Sequence, residues 1–262
     1  MCGINGVFSS SGLSNEQLVR KMNVAINHRG PDNSNVEACK GLALGHVRLS
    51  IIDLSEHANQ PFCDEGYVLV YNGEIYNFEE LRSKYGFECS TSSDTEVLFQ
   101  GLKHIGKDFI KELNGMFAFA FLNRNTNEVL IARDRLGIKP LYIYEKEGTI
   151  AFSSELKGLK SIEEEFKGFT VNHSAINSFL HLGYIPKPLT IYNEIRKFEP
   201  GCIGEIKDGV IKTEKYWSPE SQITNEVLSD EKEAKATLNN LLRSSINYRL
   251  KSDVPFGTFL SG

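Results

Sequence analysis

The sequence predicts an α+β fold built on antiparallel sheets, and three observations carry that prediction. Short apolar runs recur between residues 4 and 152, most of the links between them are short, and two links, 125–127 and 147–148, read as hairpin turns. Parallel strands would need a crossover of about a dozen residues or more between each pair, and no regular series of helical crossovers is present. Residues 4–8 read as a buried strand. Ser14 with Gln17 forms a capping box for a helix on which Leu18, Met22, Ala25 and Ile26 recur at helical spacing, and Gly30-Pro31 stops it. Further strands are expected at 42–49, 67–71, 116–122, 128–132, 141–144 and 149–152, with no internal repeat or low-complexity tract between them.

With 262 residues, 40% hydrophobic and 24% charged, the chain can bury the core of one large domain or a domain and a half. A formal charge of −5 provides no electrostatic footprint for nucleic acid or an anionic membrane. No apolar run approaches a membrane span and the start lacks the features of a signal peptide, so a cytoplasmic protein is expected. The cysteines, Cys2, Cys39, Cys63, Cys89 and Cys202, are odd in number, scattered and without a C-x-x-C pair, which argues against a disulfide framework and against a metal site.

After Trp217-Ser218-Pro219 the texture changes. Residues 220–225 form a polar linker, and a helix is expected from about Asp230, with Glu231 and Glu233 in its first turn and Ala234, Leu238, Leu241, Leu242 and Ile246 on one face. An apolar strand from Val254 then runs into Ser261-Gly262. One helix and one strand cannot enclose a core, so 219–262 reads as the interrupted start of a second domain after a first domain of 1–218.

Several segments carry groups suited to chemistry. Removal of Met1 would place the Cys2 thiol and a free α-amine on one residue. Amine and thiol titrate at about 8 and 8.5, so the amine can take the thiol proton while sulfur attacks a carbonyl. A cysteine at that position also serves as a small buried apolar residue. Arg48 ends an apolar strand, where its guanidinium can clamp a carboxylate or pair with a surface acid. Asn72-Gly73 reads as a turn, either a bare one or a strand-to-helix corner leading to a helix capped by Asn77 with Glu80. The latter would set an amide side chain beside an unobstructed N–H, as an oxyanion hole requires. Ser93 with Glu96 fits a capping box, leaving Asp94 either as a first-turn carboxylate or as one held ionised to receive an ammonium group. His28-Arg29-Gly30-Pro31-Asp32 reads as a plain helix stop.

Taken together, Met1-Cys2-Gly3-Ile4, His28-Arg29-Gly30-Pro31-Asp32, Arg48-Leu49-Ser50-Ile51, Gln60-Pro61, Tyr71-Asn72-Gly73-Glu74-Ile75-Tyr76-Asn77, Ser93-Asp94-Thr95-Glu96, Asn114-Gly115-Met116-Phe117-Ala118 and the run from Arg133 through Lys139-Pro140-Leu141-Tyr142 resemble, in order and spacing, the glutamine-dependent asparagine synthetases. The resemblance covers nearly the whole chain. It implies an N-terminal nucleophile hydrolase domain, an αββα sandwich of two antiparallel sheets, followed by the incomplete start of an α/β ATP-pyrophosphatase-like domain that receives ammonia through an internal channel. It implies Cys2 as nucleophile, Asn72 and Gly73 as the oxyanion hole, Arg48 with Leu49, Ser50, Ile51 and Ile52 on the substrate carboxylate end, and Glu74 and Asp94 on the ammonium end. Glutamine is then the substrate and the glutaminase half-reaction needs no cofactor, whereas ATP and Mg2+ are implied for the full-length synthetase. Of that domain's S-G-G-x-D-S loop only Ser261-Gly262 is present, with Leu260 where the loop first touches ATP. The chain as given is therefore expected to perform only glutamine hydrolysis, with the synthetase part supplied in cis or by a companion chain; a homodimer is also compatible. Related amidotransferases acting on sugars, peptides or lactam precursors share the glutaminase motifs, and a non-catalytic scaffold is the alternative from another class.

Overall fold

The computed structural model describes residues 2–9, 15–224, 229–255 and 257. Its elements are β1 (Gly3–Phe8), α1 (Asn15–Ala25), β2 (Asn33–Cys39), β3 (Leu42–Arg48), β4 (Phe62–Cys63), β5 (Tyr67–Ile75), α2 (Phe78–Tyr85), α3 (Asp94–His104), β6 (Gly115–Asn123), β7 (Glu128–Arg133), β8 (Tyr142–Lys146), β9 (Thr149–Ser153), α4 (Leu156–Lys160), α5 (His173–Leu182), β10 (Ile195–Lys197), β11 (Cys202–Lys207), β12 (Val210–Lys215) and α6 (Glu231–Arg249). The strands form two six-stranded sheets, ordered β10-β8-β9-β1-β3-β2 and β12-β11-β7-β6-β5-β4. Neighbours pair antiparallel in both, as the short links predict. The turns at Asn127 and at Glu147-Gly148 take the left-handed backbone that closes tight hairpins.

The layers follow from side-chain alternation. In β6, Ala118, Ala120 and Leu122 face a core shared between the sheets, with Ile4, Leu44, Val70, Ile131 and Phe152. Phe117, Phe119 and Phe121 face the opposite way, onto α2 and α3. A third core packs Val7 and Ala43 against Leu18 and Met22 of α1 and Leu159 of α4. A strand covered on both faces reads as a continuous apolar run, which is why β6 is legible in sequence without alternation. The order is helix, sheet, sheet, helix.

Several expectations change. The chain does not turn at Asn72-Gly73: β5 runs through it to Ile75, with Gly73 opposite Phe117. Glycine is required there by close packing, since a Cβ would lie 2.3 Å from the Met116 carbonyl oxygen. Asn77 does precede α2, but its side chain accepts from the Asn114 N–H and donates to the Glu112 carbonyl instead of capping the helix. Strand β2, the short strands after residue 194 and helix α5 were not expected; β2 and β12 are sheet edges whose polar, exposed residues blur the apolar signal. Ser14 lies outside the described residues. Helix α6 begins after its cap at Asp230, whose carboxylate accepts from the Lys232 N–H, yet Leu238, Leu241, Leu242 and Ile246 remain 57, 64, 54 and 57% exposed. Val254, Pro255 and Gly257 are not in a strand, and the remainder of the strand expected there lies outside the described residues. Among the described residues no helix is long and apolar enough to cross a membrane.

Candidate active site

Alternation brings the predicted residues to one end of the two stacked sheets. In β1 the parity that buries Ile4 and Phe8 between the sheets sends Cys2 the same way, and in β5 the parity of Val68 and Val70 does so for Asn72. In β3, Leu42 and Leu44 lead by the same rule to His46 and Arg48. A cavity of about 170 Å³ lies at this end, lined by Cys2, Arg48, Leu49, Ile51, Ile52, Asn72, Gly73, Glu74 and Asp94, together with Gln60, Tyr71, Ile138 and Lys139. Of the predicted substrate residues only Ser50 does not line it; its N–H is bonded to the Asp32 carboxylate at 2.8 Å. A larger cavity of about 640 Å³ lies between α3 and the outer face of the second sheet, lined by Tyr67, Phe121, Leu130 and charged side chains, and contains no thiol.

Cys2 is half-buried. Its sulfur accepts from the Leu49 N–H at 3.4 Å, and the thiol lies 3.5 Å from the Leu49 carbonyl. Burial pushes the thiol up from its ordinary pKa, while the Leu49 N–H and the charges of Lys139 and Arg48 pull it back. The Cys2 carbonyl accepts from Arg29 Nε at 2.9 Å, and Arg29 Nη1 is held in turn by Glu155 at 2.9 Å. The segment read as a plain helix stop therefore holds the Cys2 backbone; nothing in its local sequence marks that long-range contact. Met1 lies outside the described residues.

Asn72 is 1% exposed, and neither its Oδ1 nor its Nδ2 has a partner among the described residues. An unpaired buried amide costs stability, and this one faces the cavity. The backbone supplies a second donor. The N–H groups of Tyr71 and Ile75 point off the β4 side of β5, to Gln60 Oε1 at 2.6 Å and Asp94 Oδ2 at 2.9 Å. Antiparallel pairing alternates, so the Gly73 N–H between them points to that same edge. His46 fastens the two sheets behind this edge: burial lowers its pKa to about 3, so the ring is neutral and Nε2–H donates to the Tyr71 carbonyl at 3.1 Å.

Arg48 is 6% exposed. Nη1 donates to the Ser55 carbonyl at 2.8 Å and Asn59 Oδ1 at 2.7 Å, and Nη2 donates to the Asp53 carbonyl. Among the described residues this leaves Nε–H and one Nη2–H without an acceptor, two donors of the kind a carboxylate accepts. Asp94 opens α3. Ser93 caps the helix by accepting from the Thr95 N–H at 3.1 Å, but Glu96 turns back to Ser90 and Thr91 instead of closing the expected box. Asp94 Oδ2 accepts from Tyr71 Oη at 2.8 Å and the Ile75 N–H at 2.9 Å. Burial nonetheless raises its pKa above the usual carboxylate value, contrary to the expectation that the helix start alone would keep it low.

Lys139, quoted in a sequence motif without a role, is 4% exposed and lines the cavity. Asp134 builds the turn that carries it, accepting from the backbone N–H groups of Ile138 and Lys139, both at 2.9 Å. Burial lowers the Lys139 pKa, opposed by Glu74 and Cys2; burial raises that of Glu74, opposed by Lys139. No group of three or more His, Cys, Asp or Glu side chains suited to a metal occurs among the described residues. Leu260, Ser261 and Gly262, the predicted ATP contacts, lie outside those residues.

The chain is 37% identical over its whole length to the putative asparagine synthetase [glutamine-hydrolyzing] 2 of Methanocaldococcus jannaschii, covering 55% of that protein. It is 35% identical to asparagine synthetase [glutamine-hydrolyzing] 1 of Bacillus subtilis and 32% identical to asparagine synthetase B of Escherichia coli, covering 42 and 43% of them. It thus spans about half the length of the curated relatives it matches and aligns with them along its entire length. Among solved structures, glutamine phosphoribosylpyrophosphate amidotransferase from B. subtilis, complexed with ADP and GMP, superposes with a TM-score of 0.62 at 23% identity, over 82% of this chain and 49% of that one. That likeness shows the fold. Residues 1–217 match the family described as the glutamine amidotransferase domain, and the chain belongs to that family.

Proposed function

We propose that this chain binds glutamine beside Cys2 and hydrolyses its side-chain amide to glutamate and ammonia. The observation that carries the assignment is one cavity shared by the Cys2 thiol, the unpaired Asn72 amide, the Arg48 guanidinium and the carboxylates of Glu74 and Asp94. A zwitterionic amino acid needs one fixed cation and one fixed anion to orient it. Arg48, with its two spare donors, takes the α-carboxylate, and Asp94 with Glu74 takes the α-ammonium. The amide carbon is then presented to Cys2.

In the chain trimmed of Met1, the Cys2 α-amine accepts the thiol proton as sulfur bonds to the amide carbon. The carbonyl oxygen becomes an oxyanion that accepts from Asn72 Nδ2 and the Gly73 N–H. The amine returns the proton to the departing nitrogen, the C–N bond breaks, and ammonia leaves a thioester. Water, deprotonated by the same amine, cleaves the thioester to glutamate and restores the thiol. Lys139 lowers the cost of negative charge on sulfur.

In the full-length protein, the released ammonia feeds ATP- and Mg2+-dependent amidation of aspartate in a domain that begins near residue 219. The identity to asparagine synthetases about twice as long supports that assignment. Purified, processed protein is expected to release ammonia from glutamine, and Cys2→Ala to release none. Glutamine binding without ammonia release from the processed chain would refute the enzymatic reading and leave a scaffold.

A further inference from the structure

The segment after α6 touches the wall of this cavity. Asp253 donates its N–H to the Ile51 carbonyl at 3.0 Å and accepts the Asp53 N–H on Oδ2 at 2.7 Å. The two bonds bracket Ile52, and Ile51 and Ile52 both line the cavity. The last turn of α6 and the segment after it are seated on α2 and the residues just before it. Lys251 pairs with Glu79 at 2.6 Å, Tyr248 Oη donates to Glu80 at 2.8 Å, and the Arg249 guanidinium lies 4.9 Å from the centre of the Tyr76 ring.

Asp53 is the junction these contacts reach. It holds a left-handed backbone, φ +54°, which aspartate adopts more readily than most residues. Its carbonyl accepts from Arg48 Nη2. Its carboxylate accepts from the Ser55 N–H at 3.0 Å and from the Ser92 N–H at 3.1 Å, two residues before Asp94. Burial pushes this carboxyl up, but the Ser55 and Ser92 bonds outweigh it and hold it below its ordinary value. One residue thus joins the cation proposed for the carboxylate end, the start of the helix that bears the anion, and the segment beyond α6.

We propose that Asp253 is a positioning residue: by fixing the Asp53 N–H and the Ile51 carbonyl it sets the loop that orients Arg48, so the segment after α6 governs how tightly the cavity holds its substrate. The proposal rests on the assignment of this cavity to glutamine. Preorganising Arg48 acts on binding, because the guanidinium meets a group remote from the bond that breaks. Loss of the contact therefore appears in KM and leaves kcat nearly unchanged.

The test compares Asp253→Ala and Asp253→Asn with the unmodified 262-residue chain, by glutaminase kinetics and by amide hydrogen exchange at Asp53. Asp253→Ala is expected to raise the KM for glutamine about 3–10-fold, the scale of one hydrogen bond, with kcat within about twofold, and to speed exchange of the Asp53 amide. Asp253→Asn keeps an oxygen acceptor and is expected to restore both. An unchanged KM in active protein, unchanged Asp53 exchange, or an Asp253→Asn variant as impaired as Asp253→Ala would overturn the proposal. Should the unmodified chain release no ammonia, the glutamine assignment fails by itself, and exchange at Asp53 still decides whether Asp253 holds the loop.

Discussion

Asn72 separates the requirements of stability from those of function at a single side chain. Its amide is buried with neither polar atom bonded among the described residues, a state that costs about 1–3 kcal/mol where it occurs. Replacing Asn72 by Ala removes that cost and some packing together, and these act in opposite directions. Asn72→Ala is expected to change the unfolding free energy by no more than about 1 kcal/mol while lowering kcat about 10²–10³-fold, the loss typical of one oxyanion donor. Urea titration and an ammonia assay on the same preparation check both halves. Arg48 shows the complementary arrangement, with three donors spent on its own loop and two without an acceptor among the described residues.

At the scale of elements, the start of α3 decides the protonation of the site. Asp94 accepts two hydrogen bonds on one oxygen, yet burial outweighs them and raises its pKa in the folded chain. A raised carboxyl pKa means that the folded state binds the proton more tightly than the unfolded state does. The stability this contributes is fully present below the ordinary carboxyl range and lost as pH rises through the folded value. Asp94→Asn keeps an oxygen for Tyr71 and Ile75 without the charge. It is expected to raise the unfolding midpoint at pH 8 by about 2–4 °C, the effect of about 1 kcal/mol in a domain of this size. The gain should shrink towards zero near pH 4, and glutamine binding should weaken. A gain that grows with acid would contradict the assigned direction.

Across the whole molecule, the two stacked sheets and their helices carry the stability, and α6 stands outside that account. Leu44 is fully buried between the sheets, whereas Leu241 is 64% exposed. Leu44→Ala is expected to cost about 2–5 kcal/mol, the usual range for a truncated core leucine. Leu241→Lys should change the unfolding free energy of this chain by less than about 0.5 kcal/mol. Denaturant titration distinguishes the two. An apolar helix face without a partner among the described residues agrees with relatives about twice as long.

Short apolar runs, short links and turn residues made the antiparallel α+β class legible, because β1, β3 and β5 to β9 are buried or end in residues suited to tight turns. Edge strands β2 and β12 escaped, since a strand with one face in water and an unpaired edge resembles a loop in composition. The motifs singled out Cys2, Arg48, Asn72 and Asp94, because thiol, guanidinium, amide and carboxylate each announce a chemistry, and the structure brings all four to one cavity. Only the tertiary structure showed that Asn72-Gly73 is strand, that Arg29 holds the Cys2 carbonyl, that Lys139 enters the cavity and that Asp253 reaches the loop below Arg48. Those facts depend on pairing register and on contacts between residues far apart in the chain, which local sequence does not encode.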